Sequence, residues 1–316
     1  MDYRQLHAFV VLAEELHFGK AALRLGIAQP ALSLQIKVLE QTLQIPLFTR
    51  DRRHVALTFE GQQLVEEARV AINHYDRFLE NARSLRLGYK GQLKLGYVGS
   101  SILDPALTLL INGYRKQKPD IEIVIEEHNV HEQLTLLLNY QLDVALVRSP
   151  VPQYPELDYL DVATRPLIAV LPRNHPLGQE KKIALSALSS SPFLIQKDPP
   201  GVGLGWSAMN ACQQAGFVPQ KIQFTRDVSV AIGLVSMGMG VTLVPETQTS
   251  VMIPDVNYCF LSEPTATTTL TLSWQRHVKN KAVTDFIRYA HELTHSLHVQ
   301  TRGQIAPSQK ALPTRT

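Results

Sequence analysis

The 316-residue chain holds only two cysteines, Cys212 and Cys259. That is too few for a disulfide framework or a four-ligand zinc site, and both are expected to be buried thiols. No run of about eighteen apolar residues occurs, so no segment is expected to span a membrane. The opening "MDYRQLHAFVVLAEEL" has no basic region leading into an apolar stretch and a small-residue cleavage site, which points to a cytoplasmic protein. Bulk charge of one sign is missing as well. Arg302, Lys310 and Arg315 lie in the last eighteen residues, which contain no acid, and they account for the whole net charge of +3. Removing those three from 31 basic residues leaves 28 against 28 acidic ones, so any case for nucleic acid has to come from where charge is placed.

Catalytic motifs are also missing. There is no His-Glu-x-x-His, Gly-x-Ser-x-Gly or Walker loop, and His128 with His131 lacks a third metal ligand at plausible spacing. His175, in "NHPL" after a strand, reads as a turn residue. "GVGLG" at 201–205 has neither the spacing nor the preceding strand of a dinucleotide fingerprint. No enzyme, cofactor or metal site is therefore expected.

What the chain does have is periodicity, in amounts that suit more than one compact unit, with 45% apolar and 19% charged residues. Leu6, Phe9, Val10 and Ala13 form a helical stripe over residues 3 to 15. A short helix follows from about Lys20 to Leu25. Gly26 then supplies a turn at positive φ, and Gln29 and Pro30 open a third helix with core stripe Leu32, Ile36, Leu39 and Leu43. Helix, tight turn, helix is a recognisable supersecondary unit. "PLFTRDRRHVALT" reads as a small hairpin or wing with Arg50, Arg52 and Arg53 at its basic tip. Thr58 then caps a long helix, 59 to about 87, whose apolar seam (Leu64, Ala68, Ile72, Tyr75, Leu79, Ala82, Leu85) calls for a partner helix, most simply a second copy.

Gly88 and Gly91 mark a boundary. Beyond it strands alternate with helices through "QLKLGYV", "IEIVIEE", "LDVALV", "PLIAVLP", "KIQFT", "GVTLVP" and "TTLTLSWQ", which predicts two βα lobes, a mainly parallel sheet and a cleft between the lobes for a small ligand. A last helix spans about 279 to 297, and the tail after His298 is expected to be disordered.

On the third helix the core stripe leaves Pro30, Ser33, Leu34, Lys37 and Gln41 facing outward, without a carboxylate. A phosphate-lined groove repels acid and rewards such donors. Entered N-terminus first, the groove would hold Gln29, Pro30 and Ser33 deepest, with Lys20 and Arg24 reaching the backbone. A plain three-helix bundle with a solvated polar face fits the same spacing; the basic wing favours DNA. In the C-terminal half, Gly99, Ser100 and Ser101 bring hydroxyls and N–H groups to an expected helix N-terminus that suits an anion, although serines also cap helices without any ligand. Arg148 ends a strand and would either aim a planar fork at a carboxylate or pair with Glu127 or Asp161.

"AALRLGIAQPALSLQIKVLE", "PLFTRDRRHVALTFEG" and the helix after them resemble the winged helix-turn-helix and linker helix of LysR-type transcriptional regulators. "YQLDVALVR", "NHPL" and "GMGVTLVP" are similar to that family's effector-binding domain. The resemblance implies a winged helix-turn-helix over 1–58, a linker helix for dimerisation over 59–88, and a periplasmic-binding-protein-like effector domain over 89–298, with lobes of about 91–161 plus 268–298 and 162–267, then a tail over 299–316. It implies a homodimer through the linker helix, a homotetramer, promoter DNA as partner, contact with RNA polymerase, and Val130, Val202 and Val228 as further pocket residues. The sensor half resembles regulators of aromatic-acid catabolism, including those for phenylpropanoid acids, which makes an apolar carboxylate the expected effector. Two departures stand out: Gly19 where the family usually caps its second helix with Ser or Thr, and Leu34 where a polar or basic residue is common. A solute-binding protein without a DNA role and an architectural DNA binder with an inert C-terminal half are the competing readings.

Overall fold

The computed structural model describes residues 1–50, 54–250 and 253–304. They divide into two compact units, one of residues 1–87 with 139–141 and one of residues 88–138 with 142 onward.

In the first unit α1 (Tyr3–Glu15) opens on a reciprocal cap: the Asp2 side chain accepts the Gln5 N–H, and the Gln5 side chain accepts the Asp2 N–H. α2 (Phe18–Arg24) starts two residues before the sequence expectation because His17, not position 19, supplies its cap: His17 Nδ1 accepts the Lys20 N–H at 3.2 Å. Gly26 takes φ of +65°, the left-handed conformation the turn requires. α3 (Gln29–Leu43) follows, with Pro30 in its first turn, where no N–H is needed. Leu32, Ile36 and Leu39 are fully buried with Phe9 and Leu12, each such side chain stabilising the fold by about 1.5–3 kcal/mol. β1 (Phe48–Arg50) and β2 (Val55–Leu57) pair antiparallel as a wing. α4 (Phe59–Arg86) is capped by Thr58, whose hydroxyl accepts the Gly61 N–H at 2.9 Å. Val65, Ala68 and Ile72 join the same core, while Phe78, Leu79 and Leu85 stay exposed.

The second unit contains β3 (Gly91–Tyr97), α5 (Pro105–Gln117), β4 (Ile121–Glu127), α6 (Val130–Leu138), β5 (Val144–Arg148), β6 (Leu157–Pro172), β7 (Lys182–Ile183), β8 (Phe193–Gln196), α7 (Gly203–Gln214), β9 (Ile222–Thr225), α8 (Val228–Ser236), β10 (Thr242–Pro245), β11 (Val256–Leu261), β12 (Thr267–Gln275) and α9 (Lys281–Gln304). The main sheet runs β4-β3-β5-β12-β6-β11-β7, with β10 also on β6, and β8 pairs β9 separately. Expected to be mainly parallel, it is mixed. β3 is parallel to β4 and β5, but β12 is antiparallel to β5 and β6, and β10 and β11 are antiparallel to β6. The 16-residue β6 is the reason. Its first part pairs with β12 and its last part with β10 and β11, so one strand serves both lobes. One lobe's core gathers Leu93, Leu95, Tyr114, Leu272 and Phe286; the other gathers Leu167–Leu171, Phe193, Leu204, Ile232 and Val241. α9 continues to Gln304, past the expected end near 297, because helix propagation needs only one further backbone bond per residue and no apolar periodicity.

Candidate functional sites

α3 presents Gln29, Pro30, Leu34, Lys37 and Gln41 exposed, with Ser33 partly so. Its one acid, Glu40, is turned inward: Oε1 accepts the Leu47 N–H at 2.9 Å and the Phe48 N–H at 3.2 Å, tying α3 to the start of the wing. The outward face is therefore free of carboxylate by position as well as by composition. Lys37 and Lys20 make no ion pair among the described residues. Arg24, expected to reach a nucleic-acid backbone, is instead held by Glu14 at 2.8 Å and Glu15 at 3.1 Å. Glu14 in turn binds Arg69. Arg50 lies at the end of β1, and the expected contacts Arg52 and Arg53 fall outside the described residues.

In the second unit a cleft of about 820 Å³ is lined by Val98, Gly99, Glu127, His128, Asn129 and Glu132 on one side and Gln196, Lys197, Phe224, Thr225, Arg226, Asp227 and Val230 on the other. These positions follow the carboxyl ends of β3, β4, β8 and β9, all in parallel pairs, which is where ligands sit in α/β sheets. Much of its charge is already committed. Asn129 and Glu132 cap each other's backbone at the start of α6. His128 leans on Glu126 at 3.1 Å. Asp227 caps α8; burial works against its charge, but hydrogen bonds from Ser229 and Val230 and the adjacent Arg226 prevail and hold the carboxyl below its ordinary pKa. The side chains of Lys197, Arg226 and Glu127 make no hydrogen bond or ion pair among the described residues. The cleft thus offers two cations on the wall that also carries Phe224, and one acid opposite.

The serine turn, expected at a helix N-terminus, lies ahead of one instead. Gly99–Ser101 is a single 3-10 turn, and α5 begins only at Pro105. The cap of α5 is the Asp104 carboxylate, fully buried, accepting the Ala106 N–H and holding Arg165 through both Nε (3.1 Å) and Nη2 (2.9 Å). A helix end already occupied by a carboxylate has no place for a second one. The Ser101 hydroxyl donates to the Val98 carbonyl at 2.7 Å. Ser100 Oγ accepts Arg148 Nε at 2.8 Å, and the Ser100 carbonyl accepts Arg148 Nη2 at 3.0 Å and Gln248 Nε2 at 3.2 Å. Arg148, expected to aim into the cleft, is 1% exposed and clamps this turn from behind. Burial drives its pKa down to about 10, against the pull of Asp104 and with a push from Arg165. Gly99 alone of the three reaches the cleft wall. Val130 and Val202 are buried together in a core cluster beneath one wall, and Val228 is buried in the other lobe's core at the start of α8. None of the three lines the cleft.

His175 is a turn residue, its Nδ1 accepting the Leu177 N–H, with a pKa lowered by burial. Both cysteines are buried and unpaired. No group of three or more metal-ligating side chains occurs among the described residues, and no helix among them is long and apolar enough to cross a membrane. Sequence reading missed Lys197, Arg226 and Phe224. Their one signal is position, each at the end of a short strand before a turn or helix.

A winged helix-turn-helix on one unit and a two-lobed cleft on the other define a DNA-binding regulator with an effector-binding domain. Residues 3–62 match the bacterial regulatory helix-turn-helix proteins of the lysR family, and residues 87–294 match the LysR substrate binding domain. The chain belongs to the LysR family of transcriptional regulators, which are not enzymes. It is 32% identical over 278 residues to the uncharacterized HTH-type transcriptional regulator YnfL of Escherichia coli, covering 88% of this chain and 93% of that one. To the HTH-type transcriptional regulator BenM of Acinetobacter baylyi it is 29% identical over 300 residues, covering 94% and 96%. The fold matches the crystal structure of full-length CbnR complexed with target DNA with a TM-score of 0.71 at 22% identity, covering 93% of this chain and 100% of that one. The BenM effector-binding domain has been solved with its effector benzoate; that fold matches with a TM-score of 0.58 at 22% identity over 72% of this chain and 100% of that one.

Proposed function

We propose that this regulator acts in the cytoplasm and that its promoter binding or activation is set by a small carboxylate with an apolar body, held in the interlobe cleft. The observation that carries this reading is the pair Lys197 and Arg226, two cations whose side chains make no hydrogen bond or ion pair among the described residues, beside Phe224 on one wall of a cleft whose opposite wall is acidic. A carboxylate satisfies that pair, Arg226 offering a planar fork, and the acid at Glu127 directs the anionic end away from its own lobe. The volume lies in the range of about 300–1,000 Å³ that suits such ligands. Benzoate as the effector of the relative BenM supports the class.

On the other unit, Gln29, Pro30, Ser33 and Lys37 read and grip the major groove, Lys20 holds phosphate, and the wing arginines Arg50, Arg52 and Arg53 grip the backbone or minor groove beside it. Arg24 positions α1 against α2. The exposed Phe78, Leu79 and Leu85 support pairing of α4 with a second copy, and the family resemblance extends this to a dimer of dimers that contacts RNA polymerase.

Footprinting on promoter DNA at several salt concentrations, with and without benzoate and 3-phenylpropanoate, tests the reading. A ligand-responsive regulator protects half-sites whose pattern shifts when one of the carboxylates is added. Protection that ignores every carboxylate describes an architectural binder, and no protection at all a solute-binding protein; either outcome contradicts the proposal.

A further inference from the structure

We infer that Leu34 reads the C5 methyl of a thymine and thereby sets an A·T requirement at one position of the binding site. The inference rests on the assignment of α3 as the groove-facing helix and adds to it a specificity-determining residue. Leu34 is 61% exposed in the second turn of α3. Helical spacing places it in line with Pro30, Lys37 and Gln41 and beside Ser33, on the face that Glu40 has vacated by turning to Leu47 and Phe48. A lone exposed leucine elsewhere calls for no explanation. Here its neighbours are a donor, a cation and an amide, each able to hydrogen-bond a base edge or phosphate, and Leu34 can do neither. The thymine methyl is the one apolar group that the major groove displays. Against a G·C pair the same side chain would cover base-edge donors and acceptors without replacing their water, which is unfavourable. Opposite thymine it removes two apolar surfaces from water at once. The contact needs no rearrangement of the helix, since the side chain is already presented.

The test uses the full-length protein. Binding sites are first selected from a randomised duplex library. Each thymine of the selected site is then replaced singly by deoxyuridine, which removes only the methyl, and affinity is measured for the parent and for Leu34→Ala. At one thymine position the parent is expected to lose about fourfold in affinity on methyl removal, the equivalent of about 0.8 kcal/mol for one methyl group. Leu34→Ala is expected to lose nothing further there, which is the coupling signature of a direct contact. Because Leu34 lies outside the core, the variant should melt with the parent. A parent indifferent to every methyl, or a variant that keeps the parent's methyl sensitivity, overturns the assignment of Leu34. Failure to enrich any sequence overturns the groove-reading role of α3 itself, and separates that failure from this one.

Discussion

Glu40 joins two jobs in one side chain: its carboxylate receives two backbone N–H groups at the start of the wing, and in doing so leaves the outer face of α3 without an acid. Glu40→Ala strands those donors, Leu47 and Phe48 being buried, and should lower stability by about 1–3 kcal/mol, read as a fall in melting temperature. Melting at the parent's temperature would mean the bonds do not matter. Arg226 and Arg148 separate in the same way. Arg226→Ala should weaken the carboxylate response by about tenfold or more, a charge-assisted hydrogen bond being worth about 1.5–3 kcal/mol, and leave melting unchanged. Arg148→Ala should do the reverse of this order, lowering the melting temperature because Ser100 Oγ loses its donor and the Ser100 carbonyl keeps only Gln248. If titration finds Arg148 the more important for the ligand, the cleft assignment is wrong. Tyr114 contributes to the pH dependence at the alkaline end. Its hydroxyl donates to the Ala282 carbonyl at 2.7 Å, and burial, with Asp285 and Asp120 nearby, pushes its pKa up to about 12. A raised phenol pKa gives stability that is complete below the ordinary value near 10 and is lost as pH rises toward 12. Tyr114→Phe should remove on the order of 2 kcal/mol of that alkaline loss. Cys212, pushed by burial to about 12, keeps a remaining slope in the same region. An alkaline melting profile identical to the parent's would contradict the role of Tyr114.

Among the elements, the helices of the first unit were legible because their signals are local. The stripe of α1, Pro30 at the head of α3 and Thr58 at the head of α4 each act within one or two turns. The cap of α2 was not, since His17 does through an imidazole nitrogen what serine or threonine usually does. Strand direction was illegible for a different reason. β6 and β12 meet antiparallel although about a hundred residues separate them, and no short turn announces the pairing as it would in a hairpin. β8 and β9 escaped as a site because Lys197 and Arg226 become neighbours of one cleft only through that pairing. Gly61 shows a constraint invisible to periodicity: a Cβ there would run into the Leu47 carbonyl oxygen. Gly61→Ala should therefore destabilise the join of α4 to the wing by about 1–3 kcal/mol, measured by denaturant unfolding with an unchanged slope. An alanine variant as stable as the parent would mean that the two backbones have room to separate.

At the scale of the whole molecule, the described residues divide at residues 87 and 88, with 139–141 joining the first unit, next to Gly88 and the change from one helical seam to strand alternation. The proposed effector class has less direct support in the sequence. The expected carboxylate fork of Arg148 and the serine turn proved to be a buried clamp, while the cations that face the cleft come from the other lobe. On the proposed function, side chains on the outer face of α3 touch base edges. Dimethyl sulphate footprinting reads guanine N7 in the major groove and so measures this directly. On a selected binding site the parent should protect guanines in each half-site, and a Gln29→Ala, Ser33→Ala double variant that melts like the parent should lose that protection while its salt-dependent affinity for random duplex stays the same. Protection of the same guanines by both proteins would contradict the account.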